Sequence, residues 1–170
     1  CWQCMRPSLI SLAGWLARFH ARGVRTELST ISLRRLHFLV IDDNPPMRTI
    51  LRNILNQIGI YDIDEATDGQ VGLRLLNARR YDLIISDWYM EPLSGLDMLK
   101  KLRSVEGSNV TTPFLMVSAQ CQTEDIIAAC RAGANNYIIK PFSAEVFCAK
   151  VLQALGLRCQ TDLLNQTCNS

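Results

Sequence analysis

From Leu36 onward the chain alternates five times between a short apolar run and a segment with helical spacing. No other feature restricts the fold as much. The apolar runs predict strands at His37 to Ile41 (HFLVI), Ile60 to Glu65, Tyr81 to Ser86 (YDLIIS), Phe114 to Ser118 (FLMVS) and Tyr137 to Ile139. Between them, Met47, Ile50, Leu51, Ile54 and Ile58 recur at helical spacing over Pro46 to Gln57 and beyond. Val71, Leu73, Leu75 and Leu76 mark a second helix after the Asp68-Gly69 break, and Leu96, Leu99 and Leu102 a third. Ile126, Ile127, Ala129 and Cys130 mark a fourth helix ending at Gly133, and Val146 to Leu155 a fifth stopped by Gly156. Strict β-α alternation with near-continuous apolar strands predicts an α/β fold, a doubly wound five-stranded parallel sheet with helices on both faces. In such sheets ligands bind beyond the carboxyl ends of the strands, where the strand order reverses.

Charge is unevenly spread. Residues 1–35 hold six Arg and one Glu, whereas residues 36–157 carry a net negative balance within a chain of net charge +2. The expected organisation is a basic leader over 1–35, poorly ordered or forming a short helix, one folded domain over 36–157 and a tail over 158–170. An acidic folded part argues against nucleic acid as a partner. No apolar run reaches the roughly 18 residues of a membrane span. The leader has the composition of a targeting peptide, and its Cys1-x-x-Cys4 lacks the further ligands of a zinc site. Seven Cys, an odd number, do not make a disulfide framework; Cys121, Cys130 and Cys148 fall in helical patterns, and a reducing cytoplasm is expected.

The polar residues that interrupt the apolar pattern fall where this fold binds ligands. The first strand runs into Asp42-Asp43, the third into Asp87, the fourth ends at Ser118 and the fifth runs into Lys140-Pro141. Taken singly, each reads as a turn, a cap or a loop residue. Together they describe three carboxylates converging on one crevice, which repel unless a divalent cation holds them. Oxygen-only ligands suit Mg²⁺, a lysine supplies a point charge for a phosphoryl oxygen, and a hydroxyl adds a hydrogen bond. Such a constellation suits transfer of a phosphoryl group onto a carboxylate.

IDD at 41–43, SDW at 86–88, FLMVSA at 114–119 and AGANNYIIKPF at 132–142 resemble the receiver domain of two-component response regulators, in particular the single-domain chemotaxis regulators of the CheY type. The resemblance implies the flavodoxin-like sheet order of that family. It implies Asp87 as phosphoacceptor, Asp42, Asp43, Asp87 and the backbone carbonyl of Tyr89 as Mg²⁺ ligands, and Lys140 and Ser118 as partners of the phosphoryl group. Tyr137 is implied as an aromatic switch that turns inward when Ser118 moves. Tyr89 and Gln120, each two residues past a site residue, flank the route of attacking water. A histidine kinase or histidine phosphotransfer protein is the implied donor. The output is a downstream protein target such as a flagellar motor switch, reached by a monomer.

One departure stands out. The family's Met-Pro after the acceptor is split here, with Glu91 between Met90 and Pro92, so the loop after Asp87 is expected to change shape and carry extra charge. Thirteen residues past 157 leave no room for a DNA-binding output domain, which favours a stand-alone phosphoacceptor rather than an enzyme acting on small molecules. The competing readings are a phosphorylation-independent binding module of the same fold, a piece of a larger regulator or hybrid kinase, and a Mg²⁺ phosphohydrolase. The adjacent Asp pair argues against the last, because haloacid dehalogenase-type enzymes need Asp-x-Asp. The absence of a glycine-rich phosphate loop disfavours nucleotide binding.

Overall fold

The computed structural model describes residues 33–104 and 107–156. The expectations for the leader up to residue 32, for Cys1 and Cys4, and for the tail over 158–170 lie outside the described residues.

Ten elements alternate as predicted: β1 (His37–Ile41), α1 (Pro45–Gln57), β2 (Asp62–Ala66), α2 (Gly69–Ala78), β3 (Leu83–Asp87), α3 (Gly95–Ser104), β4 (Phe114–Ser118), α4 (Thr123–Ala132), β5 (Asn136–Ile139) and α5 (Ala144–Ala154). All strand pairs are parallel, in the order β2-β1-β3-β4-β5. The order therefore reverses beside β1, and β1 and β3 border the crevice that a ligand would occupy.

Successive strand residues feed opposite faces of the sheet, so both faces need apolar side chains and the strands read as unbroken apolar runs. Phe38, Val40, Leu83, Ile85, Leu115 and Val117 pack with Leu51, Leu55, Phe147 and Val151 of α1 and α5. Leu39, Ile41, Ile84, Phe114 and Met116 pack with Leu76, Met98, Leu99 and Ala129 of α2, α3 and α4.

Two strands begin later than the apolar pattern predicts. Ile60 is not in β2. Its N–H bonds the Leu55 carbonyl and Gly59 N–H bonds the Asn56 carbonyl, with Gly59 at φ +92°, which closes α1 in a Schellman turn. The apolar character of Ile60 belongs to the hydrophobic contact of that turn. Tyr81 is not in β3 either, because its N–H goes to the Asn109 side chain at 2.9 Å rather than to a ladder. Helix α1 begins at Pro45, one residue before the expected start, with Asn44 as its N-cap accepting from Met47 N–H at 3.2 Å. Ile50, which the spacing placed on the packed face of α1, is 48% exposed. Cys121 precedes α4 rather than lying in a helix; it and Cys130 are exposed. Cys148 is buried, and burial pushes its thiol up to about 12. No helix among the described residues is long and apolar enough to cross a membrane.

Candidate functional site

Each site residue predicted from sequence, other than Tyr137 within β5, sits at or just past a strand's carboxyl end. Asp42 and Asp43 follow β1, Asp87 closes β3, Ser118 closes β4 and Lys140 follows β5. One carboxylate oxygen from each of Asp42, Asp43 and Asp87 lies within 4.8 Å of the other two. Asp42 and Ser118 are fully buried, Asp87 is half-buried and Asp43 is exposed.

Lys140 joins the two inner carboxylates. Its Nζ donates to Asp87 Oδ2 at 2.9 Å and to Asp42 Oδ2 at 3.1 Å. The other Asp87 oxygen accepts from Trp88 N–H at 2.7 Å, and Asp42 Oδ1 accepts from Asn44 N–H at 2.8 Å. Burial raises the Asp87 carboxyl, aided by the Asp42 charge and opposed by Lys140. Burial alone would lower the Lys140 ammonium. Its contacts with Asp87 and Asp42 outweigh that, so its pKa rises and the lysine stays charged. Three carboxylates therefore face one ammonium. This all-oxygen donor set with uncompensated negative charge fits a hard divalent cation such as Mg²⁺.

The backbone around the site is tied down. Lys140 N–H bonds the Ser118 carbonyl at 2.6 Å, which joins the ends of β5 and β4. A Cβ on Gly95 would fall 1.9 Å from the Asp87 carbonyl oxygen, so only glycine lets α3 begin this close to the end of β3. The loop carrying the displaced proline is anchored at both ends. Gly95 N–H bonds the Trp88 carbonyl at 2.9 Å, and Gly69 N–H bonds the Leu93 carbonyl at 3.2 Å. Met90 is buried, while Glu91 and Pro92 are exposed. The inserted residue thus bulges into solvent and leaves the anchor points in place.

Ser118 and Tyr137 meet at Gln120. Ser118 Oγ accepts from Gln120 N–H at 3.0 Å, and Tyr137 Oη donates to the Gln120 carbonyl at 3.1 Å. The Tyr137 ring lies edge-on to Trp88 at 6.3 Å and is half-buried. The Tyr89 ring is 54% exposed at the mouth of the site.

Sequence reasoning missed two contributors. Arg48 reaches back from α1 to the Asp42 carbonyl oxygen at 2.7 Å and to Glu65 at 3.1 Å. Arg52 holds the other Glu65 oxygen at 2.6 Å. Burial alone would raise the Glu65 carboxyl; the two arginines outweigh it and hold its pKa below the usual range. The second contributor is an apolar groove of about 340 Å³ beside Lys140, lined by Met47, Ile50, Pro141 and Phe142. The one signal in the sequence for that groove was Ile50 on a helix already supplied with inward-facing residues.

The response regulator receiver domain family matches residues 38–152. The chemotaxis protein CheY of Pseudomonas aeruginosa is 36% identical over 116 residues, which cover 68% of this chain and 93% of that protein. Among solved structures, the receiver domain of the Francisella response regulator 1452 is 33% identical with a TM-score of 0.66, covering 72% of this chain and 98% of that one. The receiver domain of a Pseudomonas aeruginosa sensor histidine kinase, at 25% identity and a TM-score of 0.64 over 71% of this chain and 98% of its own, holds a magnesium ion in its active-site cleft. With the sheet order, the strand-end carboxylates and these likenesses in agreement, the chain belongs to the response regulator receiver domain family.

Proposed function

We propose that residues 36–157 accept a phosphoryl group on Asp87 in a Mg²⁺-dependent reaction and signal through a changed protein-binding surface. The observation that carries this reading is Lys140 held between Asp87 and Asp42 by hydrogen bonds of 2.9 and 3.1 Å. A cation fixed there is placed for phosphoryl oxygens that join Asp87. Asp42, Asp43, Asp87 and the Tyr89 backbone carbonyl would hold Mg²⁺, whose charge would lower the barrier to transfer.

A carboxylate oxygen of Asp87 attacks phosphorus in line. The phosphorus–nitrogen bond of a phosphohistidine donor breaks, the leaving imidazole takes a proton, and an aspartyl phosphate remains. Lys140 shifts its hydrogen bond from Asp87 to a phosphoryl oxygen. Ser118 Oγ turns from the Gln120 N–H and donates to another. Because Gln120 also holds the Tyr137 hydroxyl, movement of Ser118 reaches Tyr137 through one shared residue, and the surface of α4, β5 and α5 becomes the readout. Tyr89 and Gln120 flank the path of the water that later removes the phosphoryl group.

The groove of Met47, Ile50, Pro141 and Phe142 offers an apolar seat for a helix of a histidine kinase or histidine phosphotransfer protein beside Lys140. A chemotaxis-type target such as a flagellar motor switch is the output suggested by the CheY relative. The proposed setting is a cytoplasmic monomer that assists its own phosphorylation and dephosphorylation and turns over no small-molecule substrate.

The test is incubation with acetyl phosphate and Mg²⁺, followed by intact mass and by Trp88 fluorescence with beryllofluoride. One added phosphoryl group is expected in the parent and none in Asp87→Asn or in chelator. A folded parent that gains no mass and shows no fluorescence response would leave the phosphorylation-independent binding module as the better reading.

A further inference from the structure

The acidic turn depends on a residue outside the acidic cluster. Asp42 lies one residue past the end of β1, where the parallel ladder stops supplying backbone partners. Its N–H still reaches the Ala66 carbonyl of β2 at 3.2 Å, and Arg48 donates to its carbonyl at 2.7 Å. That carbonyl belongs to the peptide linking Asp42 to Asp43, so its orientation sets the direction in which the exposed Asp43 carboxylate leaves the turn.

Arg48 is itself fixed. Its Nε donates to Glu65 at 3.1 Å, and the other Glu65 oxygen is held by Arg52 at 2.6 Å. The Arg48 side chain is only 14% exposed, and Glu65 is the last residue but one of β2. A planar guanidinium whose two ends are engaged by a carboxylate and a carbonyl has little freedom. The chain Arg52–Glu65–Arg48–Asp42 carbonyl therefore transmits the rigidity of α1 and β2 to the turn that bears two of the three carboxylates.

We infer that Arg48, braced by Glu65, is a positioning residue for the divalent cation, setting the Asp42–Asp43 peptide so that the Asp43 carboxylate meets those of Asp42 and Asp87. The inference rests on the proposed Mg²⁺-dependent reading of this site. Residues that orient metal ligands without touching the metal commonly change affinity by about 10- to 100-fold when removed.

The test is Mg²⁺ titration of the full chain alone, with no phosphodonor. Trp88 fluorescence and the rise in melting temperature with Mg²⁺ serve as two independent readouts. Arg48→Met is expected to weaken Mg²⁺ binding about tenfold, Arg48→Lys less because one N–H can still reach the carbonyl, and Glu65→Gln about threefold. A role confined to stability predicts a lower melting point in chelator with Mg²⁺ affinity unchanged. That result, in a folded Arg48→Met, overturns the inference and leaves the receiver reading intact. If Arg48→Met does not fold, Arg48→Lys and Glu65→Gln decide, and unchanged affinity in both overturns it. A parent that shows no saturable Mg²⁺ response by either readout sinks the Mg²⁺ reading of the acidic site and this inference with it.

Discussion

The two ends of the sheet are both polar, yet they are built to opposite purposes. From the amino-terminal end, Tyr81 Oη and Arg79 donate to Asp64 of β2 at 2.7 and 3.2 Å, and His37 Nε2 lies 3.1 Å from the same carboxylate. Nearby, the buried Asn109 side chain donates to the Leu76 and Arg79 carbonyls and accepts from Tyr81 N–H. At the carboxyl end three carboxylates share one lysine. The electrostatic outcomes differ accordingly. Burial alone would raise the Asp64 carboxyl, but its hydrogen bonds and cationic neighbours hold its pKa below the usual range, whereas that of Asp87 is raised. A saturated cluster contributes stability. An undersaturated one carries excess negative charge, which favours a bound cation.

Three changes would break or sharpen this contrast. The largest stability effect is expected for Lys140→Met, which removes the shared cation and leaves Asp42, 0% exposed, without its charged partner. Breaking a buried pair from one side costs about 3 kcal/mol or more, so a large fall in melting temperature is expected in chelator, with Mg²⁺ restoring more stability than it adds to the parent. Equal Mg²⁺ stabilisation in the two proteins would remove charge imbalance as the character of this end.

Asn109→Ala comes next. It strands the Tyr81 N–H and two carbonyls in a buried corner, at about 2–3 kcal/mol. Urea unfolding should show this loss equally with and without Mg²⁺, because nothing at that corner touches the acidic site. Dependence of the loss on Mg²⁺ would show that the two ends are coupled.

Tyr81→Phe should have the smallest effect, about 1 kcal/mol at neutral pH, by deleting the hydrogen bond to Asp64. The sign of its pH dependence follows from the lowered folded pKa of Asp64. The Asp64 contribution is complete above the ordinary carboxyl value of 3.8 and fades as pH falls through the folded value. Parent and variant should therefore converge in stability in acid. A gap that fails to narrow as pH is lowered below 3.8 would show that the ring hydroxyl acts through something other than the ionised Asp64.

Much of the site was legible in the sequence because a β-α repeat places the residue after each strand at one edge of the sheet. Asp42, Asp43, Asp87, Ser118 and Lys140 could be brought together by counting strands, without a single distance. Arg48 could not. It sits on an otherwise ordinary α1, and its partners Asp42 and Glu65 lie 6 and 17 residues away with no motif linking them. Asn109 was equally silent, since its role depends on carbonyls 30 and 33 residues upstream. The apolar pattern also overstated two strands. Ile60 and Tyr81 are buried for reasons of turn closure and ring packing, which periodicity does not separate from a ladder.

What the sequence determined by itself is the type and order of the elements, because helices and strands have fixed side-chain periods that apolar residues must obey. It determined which polar groups end the strands, and so which chemistry is available. The tertiary structure alone decided how those groups are paired. The lysine bridge joins residues 98 positions apart, the Tyr137 hydroxyl is held by the Gln120 carbonyl, and Ile50 is left exposed beside Pro141 and Phe142. Pairing is set by the distance between elements after packing, and no local period of the chain encodes that distance.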